Sequence, residues 1–334
     1  MKKIAVVILN WNGVELLKKF IPSTINNSKE ANIYVIDNFS SDHSINFLKS
    51  NYPNIKVIEL DKNYGFAEGY NIGLKEINEE IYCLLNSDVE VTKNWLKPII
   101  KEFDNNNSSI VQPIILDYNN NKKFEYAGAA GGFIDRYGYP FCRGRIINSL
   151  EDNVNQYEDS KIFWATGACL FVRKNVFKNL NGFDKDFFAH QEEIDLCWRA
   201  YNLNYNCKAI TSSKVFHIGA YTIKENSSKT YLNYRNSLYM LIKNLPSNKL
   251  WVILPQRLII DMLSSFNFLL NFKFMSFISV YRAHFSLFLN FLKMINKRDS
   301  SVKKEDYFYI KSIVYNYFIL KKRKFFELKH NKLP

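Results

Sequence analysis

Apolar runs and helical patterns alternate along the first hundred residues of this chain. The first run, Ile4–Leu9, is continuously apolar, as expected of a strand that is buried on both faces of a parallel sheet. The same reasoning predicts strands at Ile33–Ile36, Ile55–Leu60 and Ile81–Leu85, and helices at Val14–Phe20, Ser44–Lys49, Ala67–Ile77 and Lys93–Phe103. This order predicts an α/β fold with a doubly wound, mostly parallel central sheet flanked by helices, in which ligands bind at the carboxyl ends of the strands.

The pattern changes twice after this first block. Residues 104–160 are rich in Asn, Gly and Tyr, which favours loops and short strands. They are followed by an ordered block with an apolar run at Trp164–Arg173, a helix at Glu192–Tyr201 and a short strand at Val215–His217. From Trp251 onward the chain consists of Phe- and Leu-rich segments with scattered Lys and Arg, which we interpret as helices.

Charge distinguishes the end of the chain from the rest. The 334 residues carry 45 Lys and Arg against 32 Asp and Glu, a net charge of +13, and residues 291–334 alone hold 12 basic and 4 acidic side chains. We therefore expect one domain over residues 1–245, with halves at 1–103 and 104–245, and a helical, basic extension over 246–334. Such a charge favours an anionic partner: a nucleic acid, an acidic lipid or a phosphorylated substrate.

The extension has the composition of a segment that lies on a membrane. Charged residues interrupt residues 251–296 at Arg257, Asp261, Lys273 and Arg282, so we do not expect a spanning helix. Helices with an apolar face beside a basic tail are typical of the surface of an anionic membrane. The alternative is that they pack on the domain or form a homodimer interface. The sequence contains no recognised nucleic-acid-binding motif, so nucleic acid is not an expected partner.

The amino terminus and the cysteines are typical of a cytoplasmic protein. The apolar run that begins at Ile4 ends at Asn10 without a cleavage site, so we interpret it as a strand and not as a signal peptide. The five cysteines are odd in number and include no C-x-x-C pair, unlike a disulfide framework or a structural zinc site. We expect a cytoplasmic location, peripheral on the inner face of the cell membrane.

Polar residues directly follow three of the predicted strands, in the segments Asn10-Trp11-Asn12, Asp37-Asn38-Phe39 and Asn86-Ser87-Asp88. The Asp37 carboxylate can accept a hydrogen bond from the imide N–H of uracil or thymine or from a ribose hydroxyl. It can equally cap the next helix, which is the role we prefer for Asp42. Asp88 suits a Mg²⁺ or Mn²⁺ ion bound to a diphosphate, and its alternative is a turn residue.

Three acids, Glu192, Glu193 and Asp195, occupy the first turn of the second-block helix. Acids there complement the helix dipole, whereas a general base must point into a cleft. Glu192 and Asp195 share a helix face, so we expect one acid at the cleft and another in the framework. Two cationic candidates follow: His217, a metal ligand, a phosphate donor or a structural residue, and Arg235, which can bind a diphosphate or pack among aromatic rings.

The order and spacing of these signals resemble the family 2 inverting glycosyltransferases, especially the bacterial rhamnosyltransferase-like branch. The similarity extends over about residues 3–245, and eight segments occur in the family's order. These segments are Val6–Gly13, Val35–Asp42, Asn63–Gly73, Leu84–Val91, Ala165–Arg173, Gly182–Ala200, Val215–Ala220 and Tyr234–Leu241.

The resemblance implies a GT-A fold with a nucleotide-sugar-binding half followed by an acceptor-binding half. Motifs and resemblance together place at the donor site Asn10, Asn12, Asp37, Asn38, Gly65, Phe66, Ala67, Asn71, Asn86 and Arg235. They place near the sugar and the acceptor Trp164, Thr166, Gly167, Ala168 and Asp195. Asp88 matches the last acid of the family's D-x-D metal motif, and His217 matches a position near the metal. Glu193 matches the usual catalytic base, with Glu192 as the alternative.

The function implied is the inverting transfer of one sugar from a UDP- or dTDP-linked donor, with dTDP-rhamnose as one candidate. The acceptor would be a hydroxyl of a glycan or a lipid-linked oligosaccharide in cell-surface polysaccharide synthesis. Mn²⁺ or Mg²⁺ would neutralise the leaving diphosphate while a carboxylate deprotonates the hydroxyl. The alternative is a non-catalytic sugar-nucleotide-binding or scaffold protein of a polysaccharide assembly complex.

Overall fold

The computed structural model describes residues 3–105, 108–219, 227–298 and 303–328. The strands in these ranges are, in chain order, β1 (Ile4–Asn10), β2 (Ala31–Asp37), β3 (Lys56–Glu59), β4 (Ile81–Asn86), β5 (Val89–Val91), β6 (Ile110–Asp117), β7 (Gly132–Ile134), β8 (Pro140–Cys142), β9 (Arg145–Ile146), β10 (Ser149–Leu150), β11 (Ser160–Lys161), β12 (Cys169–Arg173) and β13 (Cys207–His217). The α-helices are α1 (Val14–Asn27), α2 (Ser44–Asn51), α3 (Gly65–Gly73), α4 (Leu96–Asn105), α5 (Lys174–Asn179), α6 (Glu192–Asn202), α7 (Ser227–Asn244), α8 (Ser247–Leu270) and α9 (Phe274–Asn296).

The central sheet runs in the order β11-β13-β6-β12-β4-β1-β2-β3, and β5 pairs with β13. Strands β4, β1, β2 and β3 are parallel to one another. Strand β12 is antiparallel to both of its neighbours, β4 and β6. The sheet is therefore mixed, with a parallel half that contains the nucleotide-binding motifs predicted from the sequence.

Alternate side chains of the buried strands supply two hydrophobic cores, one on each face of the sheet. From β1, Ile4, Val6 and Ile8 belong to the core that also contains Trp95 before α4. Ala5 and Val7 belong to the opposite core, which also includes residues of α3, α6 and α7. This arrangement explains why the strand has no polar position before Asn10.

The register of the parallel strands brings the polar segments to one edge. Asn10 lies opposite Asp37 in the ladder of β1 and β2, and Leu9 lies opposite Asn86 in the ladder of β1 and β4. Asp88 follows two residues after the end of β4. The three polar segments thus converge at the carboxyl edge of the sheet, as predicted.

A four-stranded sheet, β7 to β10, and the end of the chain form one packed unit. Asp135 Oδ1 accepts hydrogen bonds from the N–H groups of Tyr137 and Tyr139, and its Oδ2 accepts one from Ile313 N at 2.9 Å. The Phe325 ring lies 5.4 Å from that of Phe133. Residues 303–328 therefore fold back onto the domain, and the boundary near residue 245 stays a prediction.

The predicted fold class is confirmed, whereas several element bounds differ from the prediction, two of them for a clear structural reason. Helix α4 begins at Leu96 and not at Lys93, because Asn94 has a left-handed backbone (φ 62°) that no helix can include. Strand β13 begins at Cys207, well before the predicted Val215. Its pairing with β6 is irregular between Ile210 and Lys214, and this bulge breaks the apolar alternation from which a strand is predicted.

Candidate functional site

The loops after β1 and β2 are tied together around Asp37, which is buried. Asn10 donates from Nδ2 to Asp37 Oδ1 at 3.0 Å and to Ser40 Oγ at 3.1 Å. Ser40 N donates to Asp37 Oδ2 at 2.8 Å, and Asn12 Oδ1 accepts from the next amide, Ser41 N, at 2.7 Å. These bonds fix the direction of the Asp37 carboxylate, and each of its oxygens keeps a second lone pair for a ligand.

Asp42 adjoins this cluster, and its side chain lies at the beginning of two helices. Its Oδ2 accepts a hydrogen bond from Val14 N at 3.0 Å, and its Oδ1 accepts one from Ser44 N at 3.0 Å. These are the first residues of α1 and α2. The capping role that we prefer for Asp42 agrees with these bonds.

The Asn38 side chain holds the loop that leads into α3. Its Oδ1 accepts from Tyr64 N at 2.9 Å, and its Nδ2 donates to Asn63 Oδ1 and Gly65 O, both at 3.0 Å. Gly65 has φ +75°, and a Cβ there would lie 2.5 Å from the Phe188 ring, so only glycine fits. Asn38 thus shapes the donor-side loop through hydrogen bonds within the chain.

The loop before α6 is strained and lies directly beside the predicted base. Phe188, His190 and Gln191 all have left-handed backbones, with φ between 63° and 71°, a conformation that is unfavourable for residues other than glycine. The Phe188 carbonyl accepts hydrogen bonds from Phe66 N and Ala67 N, the first turn of α3. The two halves of the domain therefore meet at this loop.

Arg235 and Asn236 of α7 hold the other side of the same loop. Arg235 Nη2 donates to the carbonyls of Asp186 and Phe187, both at 3.0 Å. Asn236 Nδ2 donates to the carbonyls of Phe187, Ala189 and His190. The structure thus places the Arg235 guanidinium against the backbone of the loop, and its predicted role at a diphosphate stays a prediction.

Glu192 and Glu193 are the two acids at the start of α6, and each has a buried Oε2 atom without a hydrogen-bond partner among the described residues. The Glu193 carboxyl lies beside Gly167: a Cβ on that glycine would be 3.9 Å from the Glu193 Cδ and 3.5 Å from the Phe66 ring. Burial raises the pKa of Glu193 to about 7, although backbone amides, including that of Gly167, oppose the rise. Burial and the neighbouring Glu193 also raise the pKa of Glu192.

Asp195, in the same turn, has a different environment. Its side chain is fully buried and accepts hydrogen bonds at 2.8 Å from Arg199, Lys243 and Asn244. Burial alone would raise the pKa of Asp195, but Lys243 and Arg199 outweigh this effect and hold it below its usual value. The structure therefore places Asp195 in the framework between α6 and α7, one of the two positions that the sequence leaves open for these acids.

The segment before β12 forms the floor beside Glu193. Thr166 is buried, with its N–H bonded to Gln112 Oε1 at 3.0 Å, and its Oγ1 accepts from Ala168 N at 3.2 Å. The Ala168 carbonyl accepts from Asn86 N at 3.0 Å, which joins this floor to the end of β4. Trp164 is also buried, and its indole N–H donates to Phe133 O, so its ring is part of the core.

Asn71 also makes contacts within the chain. Its Oδ1 accepts from Phe183 N at 2.9 Å, and its Nδ2 donates to Phe183 O at 2.8 Å. This reciprocal pair fastens α3 to the segment that precedes the strained loop.

Asp88, His217 and Glu125 form a buried row of three ionisable side chains at the carboxyl edge. His217 Nε2 lies 3.1 Å from Asp88 Oδ1, and Nδ1 lies 3.1 Å from Glu125 Oε2. Burial alone would lower the pKa of His217, but its contacts with Asp88 and Glu125 outweigh this effect and raise it to about 10. The carboxylate on each side thus fixes the orientation of the imidazole.

The Asp88 and His217 pair fits a divalent cation that is also bound by a diphosphate. Adjacent ligands of an octahedral ion are about 3 Å apart, which agrees with the 3.1 Å between Oδ1 and Nε2. One oxygen and one nitrogen suit Mn²⁺ better than the harder Mg²⁺. In the part of the chain that the structure describes, no group of three His, Cys, Asp or Glu side chains could hold a metal ion. Such an ion would therefore need ligands from the donor and would compete with a proton for Nε2.

Sequence reasoning missed three residues that shape this site: Glu125, Phe188 and Asn236. Glu125 lies in the Asn- and Gly-rich stretch where no periodic pattern marks a buried position. Phe188 acts through its backbone carbonyl, which no sequence pattern reports. Asn236 lies within the segment Tyr234–Leu241, and its position next to Arg235 was the available signal in the sequence.

A protein-family model matches the first half of this chain. A model described as "Glycosyl transferase family 2" matches residues 5–180, more than half of the chain. The matched range contains Asn10, Asp37 and Asp88, whereas Glu193 and His217 lie beyond its end. The match thus covers the donor-side edge of the sheet and the floor that includes Gly167.

The proteins similar to this chain include two curated transferases and one solved structure. It is 26% identical over 241 residues to the low-salt glycan biosynthesis hexosyltransferase Agl10 of Haloferax volcanii, covering 70% of this chain and 73% of that protein. It is 19% identical over 257 residues to the N-acetylglucosaminyl-diphospho-decaprenol L-rhamnosyltransferase of Mycobacterium tuberculosis, covering 71% of this chain and 83% of that protein. The crystal structure of GalNAc-T7 with UDP, GalNAc and Mn²⁺ superposes with a TM-score of 0.58 at 15% identity, over 75% of this chain and 49% of that one. The chain thus spans about half the length of that structure, and the likeness establishes the α/β fold.

Proposed function

Because this chain belongs to glycosyl transferase family 2, we propose that it moves one sugar from a nucleoside-diphosphate sugar to an acceptor hydroxyl, with inversion at the anomeric carbon. The observation that carries this proposal is the state of Glu193. Its carboxyl has a buried oxygen without a partner in the described part of the chain, it lies beside Gly167, and burial raises its pKa to about 7. A base whose pKa is near the working pH is best placed to take a proton from a hydroxyl.

The donor would bind along the carboxyl edge of β1, β2 and β4. In this assignment Asp37, oriented by Asn10 and Ser40, accepts a hydrogen bond from the imide N–H of a uracil or thymine base or from the ribose. Gly65, Phe66 and Ala67 cover the donor from the start of α3. The dipole of α3 also favours a negative group near its amino terminus, as a diphosphate would provide.

Asp88 and His217 would hold a Mn²⁺ or Mg²⁺ ion against the diphosphate. When bound, such an ion supplies positive charge that stabilises the leaving nucleoside diphosphate. Glu125, on the other side of His217, keeps the imidazole directed toward Asp88.

The chemical step is then a single displacement. Glu193 takes the proton of the acceptor hydroxyl, the hydroxyl oxygen forms a bond to the anomeric carbon, and the bond from that carbon to the diphosphate breaks. The bonding electrons leave with the diphosphate. Because attack and departure occur on opposite faces of the sugar ring, the configuration inverts and no glycosyl-enzyme forms.

The finer assignments rest on the relatives. The name of the mycobacterial relative specifies a rhamnosyl donor and an acceptor on a diphospho-decaprenol. We therefore place dTDP-rhamnose among the candidate donors and a glycan or lipid-linked oligosaccharide hydroxyl as the acceptor, in cell-surface polysaccharide synthesis. A non-catalytic scaffold protein is the alternative, and it gives no reason for a buried acid with a raised pKa to lie beside the Gly167 floor.

Thermal unfolding with UDP, dTDP, GDP and CMP, each with and without Mn²⁺, tests the donor site. A nucleotide present at about 100 times its Kd adds about 2.7 kcal/mol to the free energy of unfolding, a shift of several degrees in melting temperature. We expect UDP or dTDP to give this shift, and Mn²⁺ to increase it.

The Asp88→Asn variant should lose the Mn²⁺-dependent part of the shift. Asp104→Asn is the matched control, because Asp104 is an exposed acid paired with Lys3. If no nucleotide stabilises the protein, the proposed donor site is wrong. If Mn²⁺ enhances the shift equally in the Asp88→Asn variant, the metal assignment is wrong.

A further inference from the structure

Helix α8 buries an arginine and an aspartate together with Leu250, Ile253 and Leu254, and it exposes many large apolar residues. Its buried stripe includes Arg257, Asp261 and Ser265. Arg257 Nε donates to Asp261 Oδ1 at 2.9 Å, and Nη1 donates to the carbonyl of Tyr137 at 2.7 Å. The large apolar side chains that this helix exposes are Trp251, Val252, Ile259, Met262, Leu263, Phe266 and Leu270. This distribution is unusual for a helix on a water-soluble protein.

Helix α9 also exposes many of its large apolar side chains, and two of its small residues are buried. The buried residues include the small Ser279 and Ala283, which allow it to pack closely on the rest of the protein. Its exposed large apolar residues are Phe274, Met275, Ile278, Tyr281, Phe285, Phe288, Leu289 and Leu292. Phe272, at the turn between the two helices, is 83% exposed. We call the exposed apolar residues of α8, α9 and this turn the apolar face.

Helices α8 and α9 with the turn between them form a hairpin, and the charged side chains exposed on this hairpin are all basic. Residues 247–298 contain a single acid, Asp261, which is fully buried and paired with Arg257. Lys273 and Arg282, by contrast, are exposed on the hairpin. Arg282 lies over the ring of Tyr231, at the rim of a groove of about 440 Å³ between α7 and α9. The apolar face is therefore accompanied by cations without exposed acids.

We propose that the apolar face is a membrane-binding surface that lies in the headgroup region of an anionic bilayer. Lipid supplies both features that the face requires, since acyl chains cover its aromatic and aliphatic side chains and anionic headgroups pair with its cations. A second copy of the chain would bring like charges together across the same face, so charge complementarity favours the bilayer.

The orientation of α8 follows from its inner stripe. This helix is long and apolar enough to cross a membrane by length and composition alone. The Arg257 bond to Tyr137 and a bond of 2.6 Å from the Tyr139 hydroxyl to Asp261 nevertheless fasten one whole side of it to the domain. The helix therefore lies along the surface, with only its outer side in lipid.

Ion pairs join the hairpin to the segment that precedes α6, the helix that carries Glu193. Lys293 of α9 and Lys297, the residue after the end of that helix, both pair with Asp186, and Lys297 also pairs with Asp184. Arg235 of α7 bonds to the carbonyl of the same Asp186. A bilayer bound to the apolar face would thus be held at a fixed distance from Glu193, whether or not the proposed glycosyl transfer is correct.

Vesicle co-sedimentation of the full chain tests this inference and needs no donor or acceptor. The probes are vesicles of phosphatidylcholine alone and vesicles with about 30% phosphatidylglycerol. The wild type should bind the anionic vesicles, and binding should weaken as NaCl rises from about 0.1 M to about 1 M. A variant with Phe272→Ser, Phe285→Ser and Phe288→Ser should bind about a hundredfold more weakly, since it loses three outward aromatic anchors.

The matched control changes three exposed apolar residues elsewhere, as Leu150→Ser, Val154→Ser and Leu203→Ser, and should bind as the wild type does. An unchanged melting temperature shows that the aromatic variant is folded. The proposal is overturned if the wild type binds neither kind of vesicle, if it binds both equally, or if the aromatic variant still binds. It is also overturned if light scattering shows that the wild type is a dimer, that the aromatic variant is a monomer, and that the wild type does not bind vesicles.

Discussion

The Glu193→Gln variant is expected to transfer sugar about a thousandfold more slowly than the wild type. A positioned general base contributes about 10² to 10⁴ to a rate, and an amide cannot take the proton of the acceptor hydroxyl. Glutamine keeps the volume of the side chain, so its packing beside Gly167 should remain. The measurement is the turnover number for release of nucleoside diphosphate at saturating donor, with nucleotide binding checked by thermal shift.

The same variant should be more stable than the wild type at pH 8. Burial raises the pKa of Glu193 from 4.5 to about 7 in the folded protein, so the folded state binds this proton more tightly than the unfolded state does. The stability that the protonated carboxyl contributes is therefore lost as the pH rises from about 4.5 to about 7, by about 3 kcal/mol, and glutamine removes this penalty. At pH 4 the carboxyl is largely protonated in both states, so the two proteins should then unfold at nearly the same temperature.

The Glu192→Gln variant tests whether Glu192, and not Glu193, is the catalytic base. We expect this second variant to keep most of its activity. If Glu192→Gln is inactive and Glu193→Gln is active, then Glu192 is the base. Wild-type turnover in both variants would show that neither carboxyl takes the proton.

The Asp195→Asn variant is expected to lose about 3 to 5 kcal/mol of stability. Asp195 accepts hydrogen bonds from Arg199, Lys243 and Asn244, and removing its charge leaves Lys243 buried with fewer anionic partners. Breaking one member of a buried ion pair has an effect of this size. The side-chain amide of the new asparagine would also point an N–H group toward residues that are themselves hydrogen-bond donors. Chemical denaturation at pH 7 measures the change, with Asp104→Asn as the surface control.

The activity of this variant separates the framework role from the acceptor role implied by the family resemblance. We expect the fraction that stays folded to turn over the donor within a few-fold of the wild type. An Asp195→Asn protein that is as stable as the wild type but inactive would instead place Asp195 in contact with the acceptor.

The sequence predicts the donor edge well because it depends on local pattern. A continuous apolar strand followed by a polar residue marks the carboxyl end of each strand, and parallel pairing then brings Asn10, Asp37 and Asn86 to one edge. The first turn of α6 is also visible in the sequence, although the three acids in it look alike. Only the tertiary structure shows that Asp195 faces Lys243 while Glu193 faces Gly167.

The rest of the site depends on contacts between distant segments. Glu125 contacts His217, which is 92 positions later in the sequence. The backbone carbonyl of Phe188 accepts hydrogen bonds from the first turn of α3. The sequence likewise predicts apolar helices after Trp251 without showing which side they present. That α8 buries Arg257 and Asp261 follows from partners on a different part of the chain.

The most direct test of the central claim is release of nucleoside diphosphate from UDP- and dTDP-linked sugars by the purified protein, with Mn²⁺ and simple glycoside acceptors. We predict release from at least one donor, together with a product whose anomeric configuration is opposite to that of the donor. We also predict that the Glu193→Gln protein, prepared in parallel, releases almost none. A glycoside product with retained configuration, or a release rate unchanged in the Glu193→Gln protein, would contradict this account.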